Sequence, residues 1–306
     1  MALIHRQRDL AGEDEDTIVI QLAERFLSLR SEDVTLLRAI EAGMRRREWV
    51  PIEEISAISG IPASKADYYL RLLSDRKLVA HTNVPYEGYQ IEFAAYDLLA
   101  LHDLVRRGFV ASLGDRLGVG KESVVYEALD DIPLVIKFHR EGRTSFSRVR
   151  RVRDYLRDRP KVAWIYAAAL AARTEFDVMR KLYPHVSVPK PIARSRHAVV
   201  MERVPGVLLT KTDLDDPAFY LNRILEEIGK AYRLGVIHAD MSEYNVIVAD
   251  DIIIIDWPQA VGSDHESAEE LLNRDISNIL KYFKRRYKID LEPEEVIRKI
   301  KVDDGE

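Results

Sequence analysis

Three polar side chains that fall within one short stretch are the first candidates for chemistry. Asp240, Asn245 and Asp256 alternate with apolar strands predicted over Val246–Val248 and Ile252–Ile255. Each residue type alone is common in turns. Phosphoryl transfer, however, needs a carboxylate to orient the acceptor hydroxyl and oxygen ligands to hold Mg²⁺ on the phosphates. The spacing therefore predicts Asp240 as the orienting base and Asn245 with Asp256 as metal ligands.

A glycine-rich turn lies well upstream of this segment. It contains Gly118, Gly120, Lys121, Glu122 and Ser123. Backbone amides can approach a phosphate closely where no side chain intervenes. The turn does not fit the nucleotide-binding P-loop, because Asp115 stands where that motif requires glycine and Glu122 follows the lysine. The pattern favours instead a glycine-rich β-hairpin that covers a nucleotide.

Lys137 lies in the apolar strand predicted over Val135–Phe138. Burying an unpaired ammonium group costs several kcal/mol, so this lysine is expected to have an anionic partner. Glu175, in the helix predicted over Leu170–Leu182, is one candidate, and phosphate groups are another. The alternative is a lysine on an edge strand whose ammonium group extends to solvent.

The elements that precede the glycine-rich turn have the order of a winged-helix domain. Helical spacing of apolar residues predicts helices over Glu32–Arg47, after Pro51 and over Ala63–Leu78, followed by strands over Val79–Thr82 and Tyr89–Phe93. In winged-helix proteins the third helix can enter a nucleic-acid groove. The same order also occurs in modules that only pack or bind protein.

The basic residues on the third helix do not distinguish nucleic-acid binding from packing or protein binding. The candidates for nucleic-acid contact are Lys65, Arg71, Arg76 and Lys77. Asp67 and Asp75 offset them in part. Because nucleic-acid affinity rests mainly on neutralising phosphates, so small an excess supports only a modest site. Nucleic-acid contact and structural docking both stay open.

Composition excludes several classes of protein. The 306 residues are 47% hydrophobic, carry a formal net charge of -5 and include no cysteine. A sizeable core is therefore available, whereas disulfides, thiolate metal sites and a cysteine nucleophile are not. The longest apolar run, Val162–Ala172, is shorter than the roughly 18 residues of a membrane-spanning helix. We expect a cytoplasmic protein without a membrane partner.

Three sequence strings together resemble the atypical protein kinases of the RIO family. They are Gly118–Ser123, Ile237–Asn245 and Ile255–Gln259. The winged-helix start is similar to the Rio2 branch of that family. The resemblance implies an α+β protein with an N-terminal winged-helix domain followed by a truncated two-lobe protein-kinase-like (RIO) domain. The implied boundaries are 1–95 for the winged helix, 96–108 for a linking helix, 109–203 for the N-lobe and 204–306 for the C-lobe.

The resemblance also implies roles for residues around the nucleotide. Lys137 would bind the α- and β-phosphates of ATP, and Glu175 would hold that lysine. The segment Met201–Val204 resembles the hinge, so the carbonyl of Glu202 and the amide of Val204 would hold adenine. Arg274 and Asp275 resemble the residues that brace the catalytic loop. ATP with Mg²⁺, or Mn²⁺ in vitro, is implied.

A basic segment over residues 141–161 matches the flexible loop of Rio2 proteins. A solvated loop is the ordinary interpretation of such a charge run. The resemblance favours a loop that contacts RNA and offers Ser145 or Ser147 for autophosphorylation. It further implies a role in maturation of the small ribosomal subunit, in which the winged helix docks on a subunit precursor or its RNA.

Two departures from ordinary protein kinases bear on the activity. Ser242 stands where those enzymes have a lysine, and 50 residues follow Asp256. The family implies an autophosphorylating serine/threonine kinase, or an ATPase in which Asp256 takes up the phosphoryl group. One alternative is a small-molecule phosphotransferase of the aminoglycoside or choline kinase type, which needs a large helical substrate lobe. Another is a nucleotide-sensing nucleic-acid-binding protein without essential catalysis.

Overall fold

The computed structural model describes residues 22–120, 122–140 and 163–302. Lys121, both serines predicted for autophosphorylation (Ser145 and Ser147) and the predicted flexible loop lie outside the described residues. Within the described ranges, no helix is long and apolar enough to span a membrane.

A short helical segment over residues 22–27 is followed by three helices and a hairpin, the order predicted for a winged helix. They are α1 (Ser31–Gly43), α2 (Ile52–Ser59), α3 (Ala63–Asp75), β1 (Val79–Thr82) and β2 (Gly88–Ile91). Helix α2 ends at Gly60, whose φ of 72° lies in the left-handed region that suits glycine. The apolar positions that recur at helical spacing, such as Leu37, Ile40 and Leu70, are fully buried. Their burial fixes the three helices against one another.

Helix α4 (Phe93–Arg106) follows the hairpin directly. The strand predicted to reach Phe93 ends at Ile91 instead, because the amide of Tyr96 already donates to the carbonyl of Glu92 and starts the helix. Leu98, Leu99 and neighbouring residues on both sides of α4 are buried. A helix that is apolar nearly all round lies inside a protein rather than on its surface. Helix α4 is therefore a central element as well as a connection.

A five-stranded antiparallel sheet forms the N-lobe. Its strands are β3 (Ser112–Val119), β4 (Ser123–Leu129), β5 (Pro133–His139), β6 (Pro191–Ser195) and β7 (Ala198–Glu202), in the order β3-β4-β5-β7-β6. Lys137 on β5 pairs with Val125 on one side and Val199 on the other. The edge-strand interpretation of Lys137 is thus wrong. Strand β3 runs from Ser112 to Val119, which places Gly118 in the strand rather than in the turn.

The long helix α5 (Ala163–Leu182) crosses the sheet, and the C-lobe follows. Its elements are β8 (Val207–Leu208), α6 (Pro217–Arg233), β9 (Val236–Ile237), β10 (Val246–Val248), β11 (Ile252–Ile254), β12 (Val261–Gly262), α7 (Ala268–Tyr287) and α8 (Pro293–Val302). Strands β11, β10 and β8 form one small sheet, and β12 pairs with β9. Helix α6 begins with Pro217 after Asp216, whose carboxylate accepts the amide of Phe219 at 3.0 Å.

The described residues form two hydrophobic cores, whose boundary does not coincide with the boundary between the winged helix and the N-lobe. The first core contains residues of the winged helix and α4, such as Leu36 and Leu98, together with Ile136 and Phe138 of the N-lobe sheet. The second core contains the C-lobe helices and Trp257. The winged helix and one face of the N-lobe thus share a continuous interior.

Arg196 adds a polar link between the same two parts. It occupies the turn between β6 and β7 with a φ of 52°. Its Nε and Nη2 each donate to a carboxylate oxygen of Glu41 in α1 at 2.7 Å, and its Nη1 also binds Asp103 of α4. Paired, planar contacts of this kind fix orientation as well as distance. The turn is therefore held firmly against the winged helix.

A buried histidine contacts the same interface. His197 has no exposed surface, and its Nε2 donates to Oδ1 of Asp97 at 2.7 Å. Arg140 donates to the other oxygen of Asp97 at 2.6 Å, and the ring of Tyr96 stacks on His197 at 4.4 Å. Burial lowers the pKa of His197 to about 4, although Asp97 opposes this shift. The folded protein therefore keeps this imidazole neutral at pH 5.

A pH dependence of stability follows from His197. The unfolded chain binds a proton near pH 6.5 that the folded chain rejects until about pH 4. Stability from this group is thus complete above pH 6.5 and falls as the pH drops through that window. When the pH is lowered from 7 to 5, wild type should lose about 2 kcal/mol more of its unfolding free energy than His197→Gln, which lacks the titrating group. Urea unfolding at both pH values measures this, and parallel pH dependences in the two proteins would contradict it.

Candidate active site

The loop that follows β9 is held by the side chain of one buried carboxylate. Asp275 of α7 accepts the amides of Ala239 and Met241 at 2.7 and 3.0 Å. Ala239 has a φ of 61°, a strained value for a residue with a Cβ. Arg274 donates to the carbonyl of Ala239. Asp240, between the two bound amides, is exposed.

The burial of Asp275 also affects its titration. Burial raises the pKa of Asp275, while the two backbone N–H groups that it accepts act in the opposite direction. Asn278 supports the same loop by donating to the carbonyl of Met241 at 3.1 Å. The sequence resemblance indicated Arg274 and Asp275 as bracing residues, whereas Asn278 was not singled out.

Hydrogen bonds tie the three predicted acidic and amide residues into one unit. Asn245 Nδ2 donates to the carbonyl of Asp240 at 2.9 Å, and the amide of Ile255 donates to the carbonyl of Asn245 at 2.9 Å. His238 Nε2 donates to the carbonyl of Ile255 at 3.1 Å, and its ring contacts Trp257 at 4.5 Å. The loop therefore has a fixed position relative to the segment that carries Asp256.

Lys137 lies between two carboxylates. Its Nζ is 2.6 Å from Glu175 Oε1 and 2.6 Å from Asp256 Oδ1. Burial alone would lower the pKa of Lys137, but the two carboxylates outweigh it and raise that pKa. For Glu175 the effects are reversed: burial alone would raise its pKa, but the Lys137 ammonium and His139 lower that pKa to about 2. The prediction that Glu175 is the anionic partner of this lysine agrees with the geometry.

The two carboxylates differ in exposure. The side chain of Glu175 is 1% exposed, whereas that of Asp256 is 41% exposed. Asp256 also has a φ of 71°, in the left-handed region. Because of this difference in exposure, Asp256 can reach a ligand in the cleft, and its left-handed backbone is of a kind that often occurs at functional sites. Glu175 is thus an anchor, and Asp256 is the carboxylate that faces the cleft.

A cavity of about 500 Å³ opens between the lobes. Its walls are largely apolar and include Val125, Val135, Val207, Ile247 and Ile255. One end contains Lys137, Glu175 and Asp256, and the other contains the predicted hinge residues Met201, Glu202 and Val204. Such a cavity suits a ligand with a flat apolar part and an anionic part.

The glycine-rich turn covers the anionic end of this cavity. Gly118 and Ser123 line the cavity, and a Cβ built on Gly118 would meet no atom within 4 Å. The space in front of that backbone is therefore open to a ligand. The amide of Gly120 donates to the carbonyl of Ser123 at 2.8 Å and closes the turn. Glu122 and Ser123 also line an adjoining recess of about 30 Å³ with Asp240 and Asp256.

The predicted metal ligands have donor atoms that suit a hard cation. Asp256 offers a half-exposed carboxylate, and the amide oxygen of Asn245 is left for a ligand because its nitrogen binds Asp240. Mg²⁺ is usually held by one or two carboxylates together with water and substrate phosphates. No group of three or more His, Cys, Asp or Glu suited to a metal occurs among the described residues. The donor set fits a cation that is bound jointly with a phosphate ligand.

His139 is the main residue near the site that sequence reasoning missed. It is fully buried, and its Nε2 lies 2.7 Å from Oε2 of Glu175. The available signal was its position two residues after Lys137, which places both side chains on one face of β5. A single histidine in an apolar strand did not stand out from an ordinary core residue.

The basic residues predicted for nucleic-acid contact all lie in or just after α3. Lys65 is 3.4 Å from Glu32, and Arg71 is 2.8 Å from Asp67 within the same helix. Lys77 follows the helix with a φ of 56°.

Arg76 has a different environment, because it binds the buried carboxylate of Asp33 at 3.2 Å. An arginine that neutralises a buried aspartate contributes first to packing. Nucleic-acid contact by α3 stays a prediction.

The fold and the site together define a class of protein. The site is that of a protein-kinase-like phosphotransferase. It combines a buried lysine–glutamate pair in a lobe built on an antiparallel sheet, a glycine turn that covers the anionic end of the cavity, and a loop and hairpin that carry Asp240, Asn245 and Asp256. A family model described as "RIO domain" matches residues 124–296, and one described as "Rio2, N-terminal" matches residues 26–107. The chain belongs to the Rio2 family of RIO-type serine/threonine-protein kinases.

Individual relatives agree with this assignment. The RIO-type serine/threonine-protein kinase Rio2 of Methanocaldococcus jannaschii is 41% identical over 83% of this chain and 96% of its own length. The serine/threonine-protein kinase rio2 of Schizosaccharomyces pombe is 40% identical over 87% of this chain and 78% of its own length. These matches favour the kinase prediction over the small-molecule phosphotransferase.

A solved structure shares the architecture. The crystal structure of the Rio2 kinase-ADP/Mg²⁺-phosphoaspartate complex from Chaetomium thermophilum superposes with a TM-score of 0.79 at 34% identity. The match covers 90% of this chain and 88% of that one. The predicted α+β fold, a winged helix followed by a RIO domain, is confirmed.

Proposed function

We propose that this chain binds ATP with Mg²⁺ between its lobes and transfers the γ-phosphoryl group to its own Asp256. The half-exposed carboxylate of Asp256, in contact with the cavity lysine Lys137, carries this proposal. A related Rio2 kinase forms an ADP/Mg²⁺-phosphoaspartate complex, which supports the same chemistry here. Autophosphorylation of a hydroxyl group, for which exposed Asp240 would orient the acceptor, is the second outcome that the site allows.

The cavity residues suggest how the nucleotide is placed. The apolar walls suit adenine, the carbonyl of Glu202 and the amide of Val204 are available at one end, and Lys137 offers its ammonium to the α- and β-phosphates at the other. Asn245 and Asp256 would hold Mg²⁺, which shields phosphate charge when bound. Gly118 leaves room above the phosphates because it has no Cβ.

Transfer to Asp256 is chemically balanced with ATP as the donor. A carboxylate oxygen of Asp256 forms a bond to the γ-phosphorus, the bond to the bridging oxygen breaks, and ADP leaves with that electron pair. Attack by water on the resulting acyl phosphate then releases inorganic phosphate and restores the carboxylate. The net reaction is hydrolysis of ATP in two steps, with a phosphoprotein between them.

Labelling with γ-³²P-ATP and Mg²⁺ tests this proposal. In wild type, we expect a protein-bound label that hydroxylamine removes, because hydroxylamine cleaves acyl phosphates and leaves phosphoserine intact. Asp256→Asn should lose this label, since an amide oxygen is a poor nucleophile. Label that resists hydroxylamine and disappears in Asp240→Ala would instead identify hydroxyl phosphorylation as the activity. If wild type acquires no label at all, both the aspartyl phosphate and hydroxyl phosphorylation are contradicted.

We further propose that the activity serves maturation of the small ribosomal subunit in the cytoplasm, with the winged helix docking on a precursor particle or its RNA. The Rio2 resemblance supports this setting. Co-sedimentation of the protein with small-subunit precursors on sucrose gradients, with and without ATP, would test it. An equal distribution of the protein across gradients with and without precursors would overturn it.

A further inference from the structure

His139 lies beside the lysine–glutamate pair, and the proposed reaction gives it no role. Its side chain has no exposed surface, and its Nε2 donates to Oε2 of Glu175 at 2.7 Å. It also lines the recess that contains Asp240 and Asp256. A buried histidine bound to a buried carboxylate costs desolvation of both groups, so its presence at this point calls for an explanation.

Glu175 is held from two sides by different donors. Its Oε1 accepts Lys137 Nζ at 2.6 Å and the amide of Trp257 at 3.3 Å, while its Oε2 accepts His139. With both oxygens engaged, the carboxylate cannot rotate without losing a hydrogen bond. His139 thus determines which oxygen of Glu175 is presented to Lys137.

The contacts of Lys137 make this constraint important for the proposed reaction. Lys137 is shared between Glu175, which is buried, and Asp256, which is half exposed. Only Oδ1 of Asp256 contacts Lys137. When the Asp256 carboxylate binds a cation or attacks a phosphorus atom, its negative charge is drawn toward that ligand, and Lys137 depends more on Glu175. The ammonium group then keeps its place only if its other partner is rigid.

We infer that His139 is a positioning residue for phosphoryl transfer. It fixes Glu175, so that Lys137 stays at the phosphate end of the cavity after Asp256 turns toward the nucleotide. The inference rests on the proposed function and deepens it by adding a residue that acts through Glu175 without touching the substrate.

The backbone at this position makes side-chain replacement a fair test. His139 pairs with Ser123 in β4, and its amide donates to the carbonyl of His197 at 2.9 Å. These ladder contacts do not depend on the imidazole. His197 offers a matched control, because it is also fully buried and donates to a carboxylate at 2.7 Å, but its partner Asp97 belongs to α4 and lies outside the cavity lining.

The experiment compares His139→Leu, His139→Gln and His197→Leu in the full chain. The rate of label formation from γ-³²P-ATP and the dissociation constant for ATP are measured in each. Leucine at 139 should slow labelling by about tenfold or more and weaken ATP binding, in line with losses of 10- to 100-fold when residues that orient a ligand-binding group are removed. Glutamine, whose Nε can donate to Glu175, should restore most of the rate.

His197→Leu separates positioning from general destabilisation. This control should lower unfolding stability without a comparable change in labelling rate or ATP affinity. Equal labelling rates in His139→Leu and wild type, or equal losses in His139→Leu and His197→Leu, would overturn the inference. If wild type acquires no label, the proposed aspartyl phosphate is contradicted, whatever the role of His139. The ATP affinities then test His139 separately: weaker binding by His139→Leu than by His139→Gln would support its positioning role.

Discussion

Replacing Lys137 by methionine is expected to slow phosphoryl transfer by about 100- to 1,000-fold. This is the usual loss when one preorganised hydrogen-bond donor that stabilises charge in the transition state is removed. The substitution also leaves Glu175 buried without its ammonium partner and frees Asp256 from its contact at 2.6 Å. Binding of ATP should weaken as well, because the phosphates lose their buried cation. Single-turnover labelling with γ-³²P-ATP, together with calorimetric titration of ATP, measures both effects.

Lys230→Met is a matched control for this substitution. Lys230 pairs with Glu227, a glutamate as buried as Glu175, at 2.7 Å in α6 and outside the cavity lining. Its loss should therefore affect the free energy of unfolding while labelling continues near the wild-type rate. Labelling of Lys137→Met at the wild-type rate would show that the cavity is not the site of phosphoryl transfer.

The second large effect is expected from Asp275→Ala. Two buried amides, those of Ala239 and Met241, would lose their acceptor, and each unsatisfied buried group costs about 1–3 kcal/mol. For two such groups we expect the free energy of unfolding to fall by roughly 2–6 kcal/mol. Labelling should also fall well below the wild-type rate, because the left-handed Ala239 is then no longer held next to Asp240.

Urea unfolding and labelling of the same preparations test the effect of Asp275. Asn278→Ala is the graded comparison, since it removes one donor to the loop carbonyl of Met241 and leaves both amides satisfied. Its expected cost is about 1 kcal/mol. If Asp275→Ala is destabilised as expected but labels at the wild-type rate below its unfolding midpoint, the loop geometry does not limit the reaction.

Sequence reasoning located much of the site because local spacing controls it. Asp240, Asn245 and Asp256 lie on one loop and one hairpin, so chain connectivity alone brings them near one another. The cost of burying an isolated charge predicted an anionic partner for Lys137, and Glu175 was one of two candidates for it. The contact between Lys137 and Asp256 was not predicted, because it depends on how the two lobes close around the cavity.

Other features depend on tertiary packing that a sequence does not display. Counting charges on α3 could not show that Arg76 binds buried Asp33, since the partner lies on another helix. Helix α4 was interpreted as a connection, although its apolar residues on all sides are typical of a helix packed on several faces. The sequence signal for His139, its position two residues after Lys137, gained meaning only once Glu175 was known to lie beside it.

The shared interior of the winged helix and the N-lobe has a mechanical consequence. Leu98 and Phe138 belong to one core, and Arg196 clamps the sheet to α1, so these parts move as a single lever. The cavity lies between that lever and the C-lobe. A rotation at the cleft therefore displaces the winged helix as well. A partner bound to the winged helix would sense the opening of the cleft, and by restraining the winged helix it would resist that opening.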